Sequence, residues 1–172
     1  MHLLAQEEYG LRCLLQVARH RGSHPLTIAE IADAEGLSPE YTAKLMRALR
    51  KGRLVVSTRG AGGGYQLARP PKEITPWQAI QVLGGSFFDE GFCDCHSGLL
   101  QDCVHTKDCA LRSLWKKVEG AVRELLESIT LEDLQQRESS MLLRLEVTGN
   151  DPPGLSGRPV RARRISARRS VT

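Results

Sequence analysis

Apolar positions in this chain fall into blocks of helical spacing, interrupted once by a short strand-like stretch. Over residues 3–20, Leu4, Leu11, Leu14, Leu15, Val17 and Ala18 recur three and four apart, with Arg12, Arg19 and Arg21 off that face. Gly22-Ser23-His24-Pro25 breaks the pattern. Thr27 stands three residues before Glu30, a capping-box spacing, and opens a short helix that buries Ile28, Ile31 and Ala32. After the turn Gly36-Leu37-Ser38, Ser38 suits an N-cap and Pro39 the first helical position. The helix that follows runs to Lys51, with Leu45, Met46 and Leu49 inward and Glu40, Lys44, Arg47 and Lys51 opposite.

Two short helices joined by a glycine-containing turn, the second one basic, form the helix-turn-helix pattern. Strand-like residues 54–57 and 66–68 then flank Thr58-Arg59-Gly60-Ala61-Gly62-Gly63-Gly64-Tyr65. Four glycines among residues 60–64 leave a loop nearly free of side chains, whose backbone can approach another surface closely. A hairpin placed directly after a recognition-type helix is a wing, and Arg59 at its base is suited to phosphates or a narrow minor groove. A nucleotide-binding loop is the poorer reading, because no Gly-Lys-Ser/Thr follows to open a helix.

Beyond the wing, Pro70-Pro71 and Pro76 bracket a connector, and Trp77, Ile80, Val82 and Leu83 mark a helix ended by Gly84-Gly85. Residues 86–109 lack periodicity. From Ala110 a stripe of Leu111, Leu114, Val118, Ala121, Leu125 and Ile129, widened by Val122 and Leu126, predicts a long amphipathic helix. Such a helix after a small winged domain has little core of its own to cover, so pairing with a second copy is expected. Thr130-Leu131-Glu132-Asp133-Leu134 reads as a capped restart of helix, and Leu142, Leu143 and Leu145 close the ordered part.

The expected fold is therefore mainly α with a small β-hairpin wing: a winged helix-turn-helix plus a long dimerisation helix. Its segments are a DNA-binding domain over 1–75 and a connector helix with a cysteine loop over 76–109. A dimerisation helix and C-terminal helical segment follow over 110–148. Residues 149–172 are dominated by Gly, Pro, Ser and Arg and read as a disordered Arg-rich tail.

Charge sharpens this division. The 172 residues carry a net +4, but residues 38–75 hold eight basic and two acidic side chains, 76–148 seven and twelve, and 149–172 six and one. The first basic block coincides with the recognition helix and the wing, which points to double-stranded promoter DNA and a salt-sensitive affinity. Tyr41, Thr42 and Lys44 are candidate base contacts, with Arg47 beside them. Ser38 and Lys51, together with Arg59, Gly62, Gly63 and Tyr65 of the wing, complete the candidate DNA-binding surface. An apolar content of 41% argues against wholesale disorder. No apolar run is long enough to span a bilayer, and the first residues lack the features of a secretory signal, so a cytoplasmic location is expected. No nucleophile–base or paired acid–base pattern suggests an enzyme.

Of the five cysteines, Cys13 lies mid-helix beside Leu14 and Leu15 and belongs to the core. Cys93, Cys95, Cys103 and Cys109 fall within seventeen residues, among Asp94, His96, Asp102, His105 and Asp108. Their separations of one, seven and five intervening residues do not fit the pairs of structural zinc sites. A cytoplasmic chain does not favour permanent disulfides, and the polar surroundings do not favour thiols buried as small hydrophobes. Soft thiolates on an irregular loop suit an iron–sulfur cluster. A metal-free thiol-disulfide switch and a zinc-stabilised interaction module are the alternatives.

The combination resembles the winged-helix regulators of the IscR, NsrR and RirA type. The resemblance is carried by Tyr9-Gly10-Leu11-Arg12, Ile28-Ala29-Glu30-Ile31-Ala32, Leu37-Ser38-Pro39-Glu40-Tyr41 and Leu45-Met46-Arg47-Ala48-Leu49-Arg50-Lys51. The wing from Arg59 to Ala68, Cys109-Ala110-Leu111-Arg112-Ser113-Leu114-Trp115 and Ile129-Thr130-Leu131-Glu132-Asp133-Leu134 extend it to about residue 147, leaving the tail outside. It implies a homodimer in which three cysteines hold an iron–sulfur cluster whose state controls DNA binding, in response to nitric oxide, iron or redox state. The gap between Cys103 and Cys109 matches the last two ligands, and Cys95 is preferred to Cys93 as the first. The fourth ligand in NsrR-like members is a first-helix carboxylate from the other chain. Glu8 stands at that place and favours a 4Fe–4S over a 2Fe–2S cluster. The histidine that follows the third cysteine in IscR-like members has no counterpart, since no histidine follows Cys109; His96 and His105 lie within the loop instead.

The tail carries no sequence pattern beyond its charge. Deleting residues 149–172 is expected to weaken binding about equally on target and random DNA, as a salt-dependent electrostatic contribution does. Anisotropy titrations on the two duplexes check this; a loss confined to the target would contradict it.

Overall fold

The computed structural model describes residues 4–60, 62–85, 97–100, 102–136 and 138–148. Its first helix, α1 (Ala5–Arg19), begins where the Glu7 carboxylate accepts the Leu4 N–H at 2.7 Å, satisfying one of the donors that a helix start leaves open. Gly10, Cys13, Leu14, Val17 and Ala18 form its buried face. In α2 (Ile28–Glu35) the capping box expected from the sequence is present. Thr27 Oγ1 accepts the Glu30 N–H at 3.3 Å and Glu30 accepts the Thr27 N–H at 2.8 Å. These donations from the Thr27 backbone and hydroxyl hold the Glu30 carboxyl below its ordinary range. The helix ends on Gly36, whose φ of 66° is the left-handed conformation glycine adopts without penalty. Ser38 caps α3 (Pro39–Lys51), its Oγ accepting the Tyr41 N–H at 3.2 Å.

Leu14, Ile31, Met46, Leu49, Leu54 and Ile74 are fully buried where these helices meet. Each such side chain contributes roughly 1.5–3 kcal/mol of hydrophobic stabilisation. The core extends beyond residue 75. Thr75 caps α4 (Pro76–Leu83), which buries Ala79, Ile80 and Leu83 and belongs to the same cluster. Side chains at Gly10 and Gly52 would clash with Leu83 and Val82, so both glycines admit α4 close to the helices beneath it.

The wing pairs β1 (Val55–Thr58) with β2 (Gly64–Leu67), from Val55 opposite Leu67 to Thr58 opposite Gly64. Composition placed the strands at 54–57 and 66–68. The second starts earlier, with Gly64 opposite Thr58 and Tyr65 opposite Ser57, and Tyr65 also bridges to Leu26: its N–H donates to the Leu26 carbonyl at 2.7 Å and its carbonyl accepts the Leu26 N–H at 3.0 Å. A Cβ on Gly64 would lie 2.5 Å from the Leu26 carbonyl oxygen, so this glycine admits a third strand of backbone rather than merely loosening a loop.

No residue of α5 (Ala110–Glu127) is buried, and Leu111, Leu114 and Leu125 are 59%, 50% and 48% exposed. Its apolar stripe stops short of the expected Ile129. That residue lies past the helix end and is buried with Leu131, which donates to the Ile74 carbonyl at 2.8 Å. Arg19 donates to the Leu134 carbonyl at 3.2 Å and Arg21 to Gln135 Oε1 at 3.0 Å, so the chain returns to the far end of α1. Thr130 and Asp133 cap each other as expected, but only a 3-10 turn (Asp133–Gln135) follows before α6 (Glu138–Thr148). Among the described residues no helix is long and apolar enough to cross a membrane. The expected Arg-rich tail lies outside the described residues.

Among the described residues one buried side-chain oxygen lacks a hydrogen-bond partner. Thr42, in α3, is fully buried and its hydroxyl makes no hydrogen bond. An unsatisfied buried polar group costs about 1–3 kcal/mol. Thr42→Val is therefore expected to raise unfolding stability by about 1 kcal/mol in denaturant titrations; a loss of similar size would mean that the hydroxyl is bonded in solution.

Candidate functional site

Helix α3 presents Ser38, Lys44, Arg47, Arg50 and Lys51 to solvent on the side away from Leu45, Met46 and Leu49. A helix of this width fits the major groove of DNA. Arg50 Nη1 donates to Ser57 Oγ at 3.3 Å and ties the helix to β1. Arg50 was absent from the residues expected at the DNA, although its place one turn beyond Arg47 on the same basic face was visible in the sequence. In the wing, Arg59 and Gly62 are exposed, Gly60 has φ of 111°, and the Gly63 N–H donates to the Gly60 carbonyl at 2.9 Å. A side chain at Gly63 would clash with the Thr58 carbonyl, so the tight tip requires glycine there.

Thr42 corrects the sequence-based expectation. It was placed among the base contacts, but it is buried beside Leu45 and Met46, where no base edge can reach it. Tyr41 and Tyr65 are half-buried. Tyr65 is held by its pairing with Leu26, while the Tyr41 ring meets the Tyr9 ring edge-on at 6.1 Å. The Arg12 guanidinium lies 5.4 Å from the centre of the Tyr9 ring. It also donates to Glu35 Oε2 at 2.6 Å and to the Glu35 carbonyl at 3.0 Å, and Gln16 donates to Glu35 Oε1 at 2.5 Å. These contacts hold the end of α2, and hence the turn into α3, against α1.

The second candidate site is the cysteine loop. Cys103 and Cys109 are free and half-buried. Cys109 is the residue before α5, and the Thr106 N–H donates to the Cys103 carbonyl at 3.1 Å. Arg112 reaches back from α5 to the carbonyls of Thr106 and His105 at 2.9 and 3.3 Å, so the helix orders the turn between the two thiols. Cys93, Cys95 and His96 lie outside the described residues. Among the described residues no three His, Cys, Asp or Glu side chains come together as a metal site. The chemistry of the two described thiols nevertheless fits a cluster, because thiols are soft donors and both are partly accessible.

Cys13 is different. Burial pushes its thiol up to about 11, which leaves it protonated and unsuited to ligation. Glu8 is exposed on the first turn of α1. Beside it, buried Glu7 fills the space that a side chain at Gly84 would need, and Gln6 donates to the Leu83 carbonyl at 2.6 Å. The turn carrying Glu8 is thus fixed to the point from which the chain departs towards the cysteines.

A family model described as "Rrf2: Iron-dependent Transcriptional regulator" matches residues 3–137. The chain is 34% identical over 134 residues to the HTH-type transcriptional regulator CymR of Bacillus subtilis, covering 78% of this chain and 89% of that protein. It is 34% identical over 161 residues to the HTH-type transcriptional regulator IscR of Sodalis glossinidius, covering 92% and 94%. The solved structure of T. potens IscR superposes with a TM-score of 0.59 at 32% identity, covering 88% of this chain and 93% of that one.

The contrast among the thiols is measurable. In reduced, metal-free protein at mildly alkaline pH, Cys103 and Cys109 are expected to react with iodoacetamide while Cys13 reacts only after unfolding. Peptide mass spectrometry reads this directly; equal labelling of Cys13 in the native protein would contradict its burial.

Proposed function

The chain belongs to the Rrf2 family of transcriptional regulators, with DNA-binding regulation as its function, and from that premise we propose that it is a repressor governed by an iron–sulfur cluster. In this reading Cys95, Cys103 and Cys109 hold the cluster, with Cys93 the alternative to Cys95. Glu8 of a second protomer supplies the fourth ligand, which favours a 4Fe–4S cluster. When bound, such a group supplies redox activity and reactivity towards nitric oxide, so nitric oxide, iron supply or redox state is the signal. The observation that carries this reading is the pair of free, half-buried thiols at the foot of α5, in a chain whose remaining described cysteine is fully buried.

The other parts follow from placement. The exposed Leu111, Leu114 and Leu125 face of α5 pairs with its copy in a homodimer. The basic face of α3 enters the major groove and the wing, with Arg59, lies on the backbone or in the minor groove. Because the cysteine loop leads straight into α5, a change in the order of that loop acts on the dimer helix and so on the spacing of the two winged domains. A metal-free thiol switch is the second reading, favoured by the same two free thiols. A similar protein, 34% identical with a TM-score of 0.62, is described as the global cysteine regulator of Bacillus subtilis.

Anaerobic reconstitution with ferrous iron and sulfide separates the two. Visible charge-transfer absorption with bound iron and sulfide is expected, and it should be lost in Cys103→Ser and Cys109→Ser but kept in Cys13→Ala. Glu8→Ala should leave a cluster that is bleached faster by oxygen. A protein that takes up neither iron nor sulfide, and instead forms a reversible disulfide between Cys103 and Cys109 by mass spectrometry, would establish the thiol switch.

A further inference from the structure

The turn that joins α3 to β1 contains an unfavourable choice of residue. Arg53 has φ of 59°, and among the described residues no other side-chain-bearing residue has a positive φ. That conformation is strained for an L-residue and open to glycine. A glycine does stand next door, but Gly52 has an ordinary φ of −77°. Its lack of a side chain serves packing, since a Cβ there would clash with Val82. The chain thus places glycine where α4 requires it and arginine where the backbone would prefer glycine.

The turn cannot easily relax around Arg53. Its N–H donates to the Arg50 carbonyl at 3.0 Å, the next N–H, of Leu54, donates to the Leu49 carbonyl at 3.0 Å, and Leu54 is itself buried in the core. Nor does the rest of the described structure explain the side chain. Arg53 is exposed, and among the described residues it has no hydrogen-bond or ion-pair partner for its guanidinium. Strain retained at an exposed position without an internal partner indicates an external one. The neighbourhood gives its sign: no acidic residue occurs between Glu40 and Glu73, while Arg47, Arg50, Lys51 and Arg59 surround Arg53 in sequence.

We propose that Arg53 is a DNA-phosphate contact, seated between the groove entered by α3 and the strand touched by the wing. The inference rests on the reading that α3 and the wing face DNA. A guanidinium on a rigid turn is suited to this task, because its planar fork matches phosphate oxygens and a fixed backbone leaves less freedom to lose on binding. Contact with phosphate alone carries no base information, so Arg53 sets affinity and register rather than sequence preference.

Arg53→Gly in the full chain separates this role from a structural one, because the two move in opposite directions. The probes are a duplex of about 30 base pairs selected from a random pool by the wild-type protein, long enough for two half-sites, and a random duplex of equal length. The thermal unfolding midpoint should hold or rise as the strain is released. Affinity should fall about three- to tenfold on both duplexes, and the slope of log affinity against log salt should shrink by about one. Arg53→Lys, which keeps the charge, should recover part of the affinity and most of the slope. Unchanged affinity and slope in Arg53→Gly while Arg47→Ala weakens binding would overturn the assignment, as would a loss confined to the selected duplex. If Arg47→Ala and Lys44→Ala also leave binding unchanged, the DNA-facing reading of α3 fails and this one falls with it.

Discussion

The approach of α4 onto α1 depends on a missing side chain. A Cβ on Gly10 would occupy the space of the Leu83 side chain, so a larger residue would force Leu83 to repack or the two helices to separate. Much of the remaining structure depends on that approach. Gln6 and Glu7 grip the C-terminal end of α4 at Leu83 and Gly84, while the other end of α4 is joined through Ile74 to Leu131. The other side of α1 holds the recognition unit, through Arg12 on Glu35 and Tyr9 on Tyr41. One helix therefore fixes where the chain departs towards the cysteines, where it returns after α5, and how the turn before α3 is set.

The sequence made the helices legible because their signals are local. Thr27 with Glu30, Ser38 with Pro39 and the glycine at 36 each act within one turn of chain, and each is found as expected. Misreadings arose where a residue's role is decided by a distant segment. Gly64 looked like loop composition, yet it serves the backbone of Leu26, 38 positions earlier in the chain. Ile129 continued the helical stripe of α5 in sequence but is buried with Leu131 once the helix has ended. Thr42 sits beside Lys44 on the recognition helix, and two residues' difference in helical phase turns it from the groove-facing side to the core. Glu7 and Glu8 are adjacent and chemically equivalent in sequence, yet one is buried as a cap and the other is exposed. The cysteine loop offers residue types and spacing but no geometry, because an aperiodic segment carries no repeat from which a shape could be read, and Cys93 and Cys95 lie outside the described residues.

The uneven charge of the chain fits this architecture. A net +4 spread evenly would steer nothing, whereas eight basic side chains in residues 38–75 place the attraction on one helix face and one hairpin. The acidic excess of residues 76–148 falls on the elements that follow the helix-turn-helix and the hairpin. Within the basic block, the interactions that fix geometry are mostly uncharged, such as the Ser38 cap, the Tyr9–Tyr41 contact and the glycines of the wing. This leaves the cations free to bind outward instead of pairing with acids, which would weaken the field that phosphates experience.

The same division sets α5 apart from the helices of the winged domain. An 18-residue helix rises about 27 Å, and none of its side chains is buried within its own chain. It is held at its start by the cysteine loop, ordered in part by Arg112, at its end by the buried Ile129 and Leu131, and between them where it meets α4. Leu131 donates its N–H to the Ile74 carbonyl immediately before α4, and α4 packs against α1 through Gly10. The close packing at Gly10 thus joins the segment that follows α5 to the helix that carries the recognition unit.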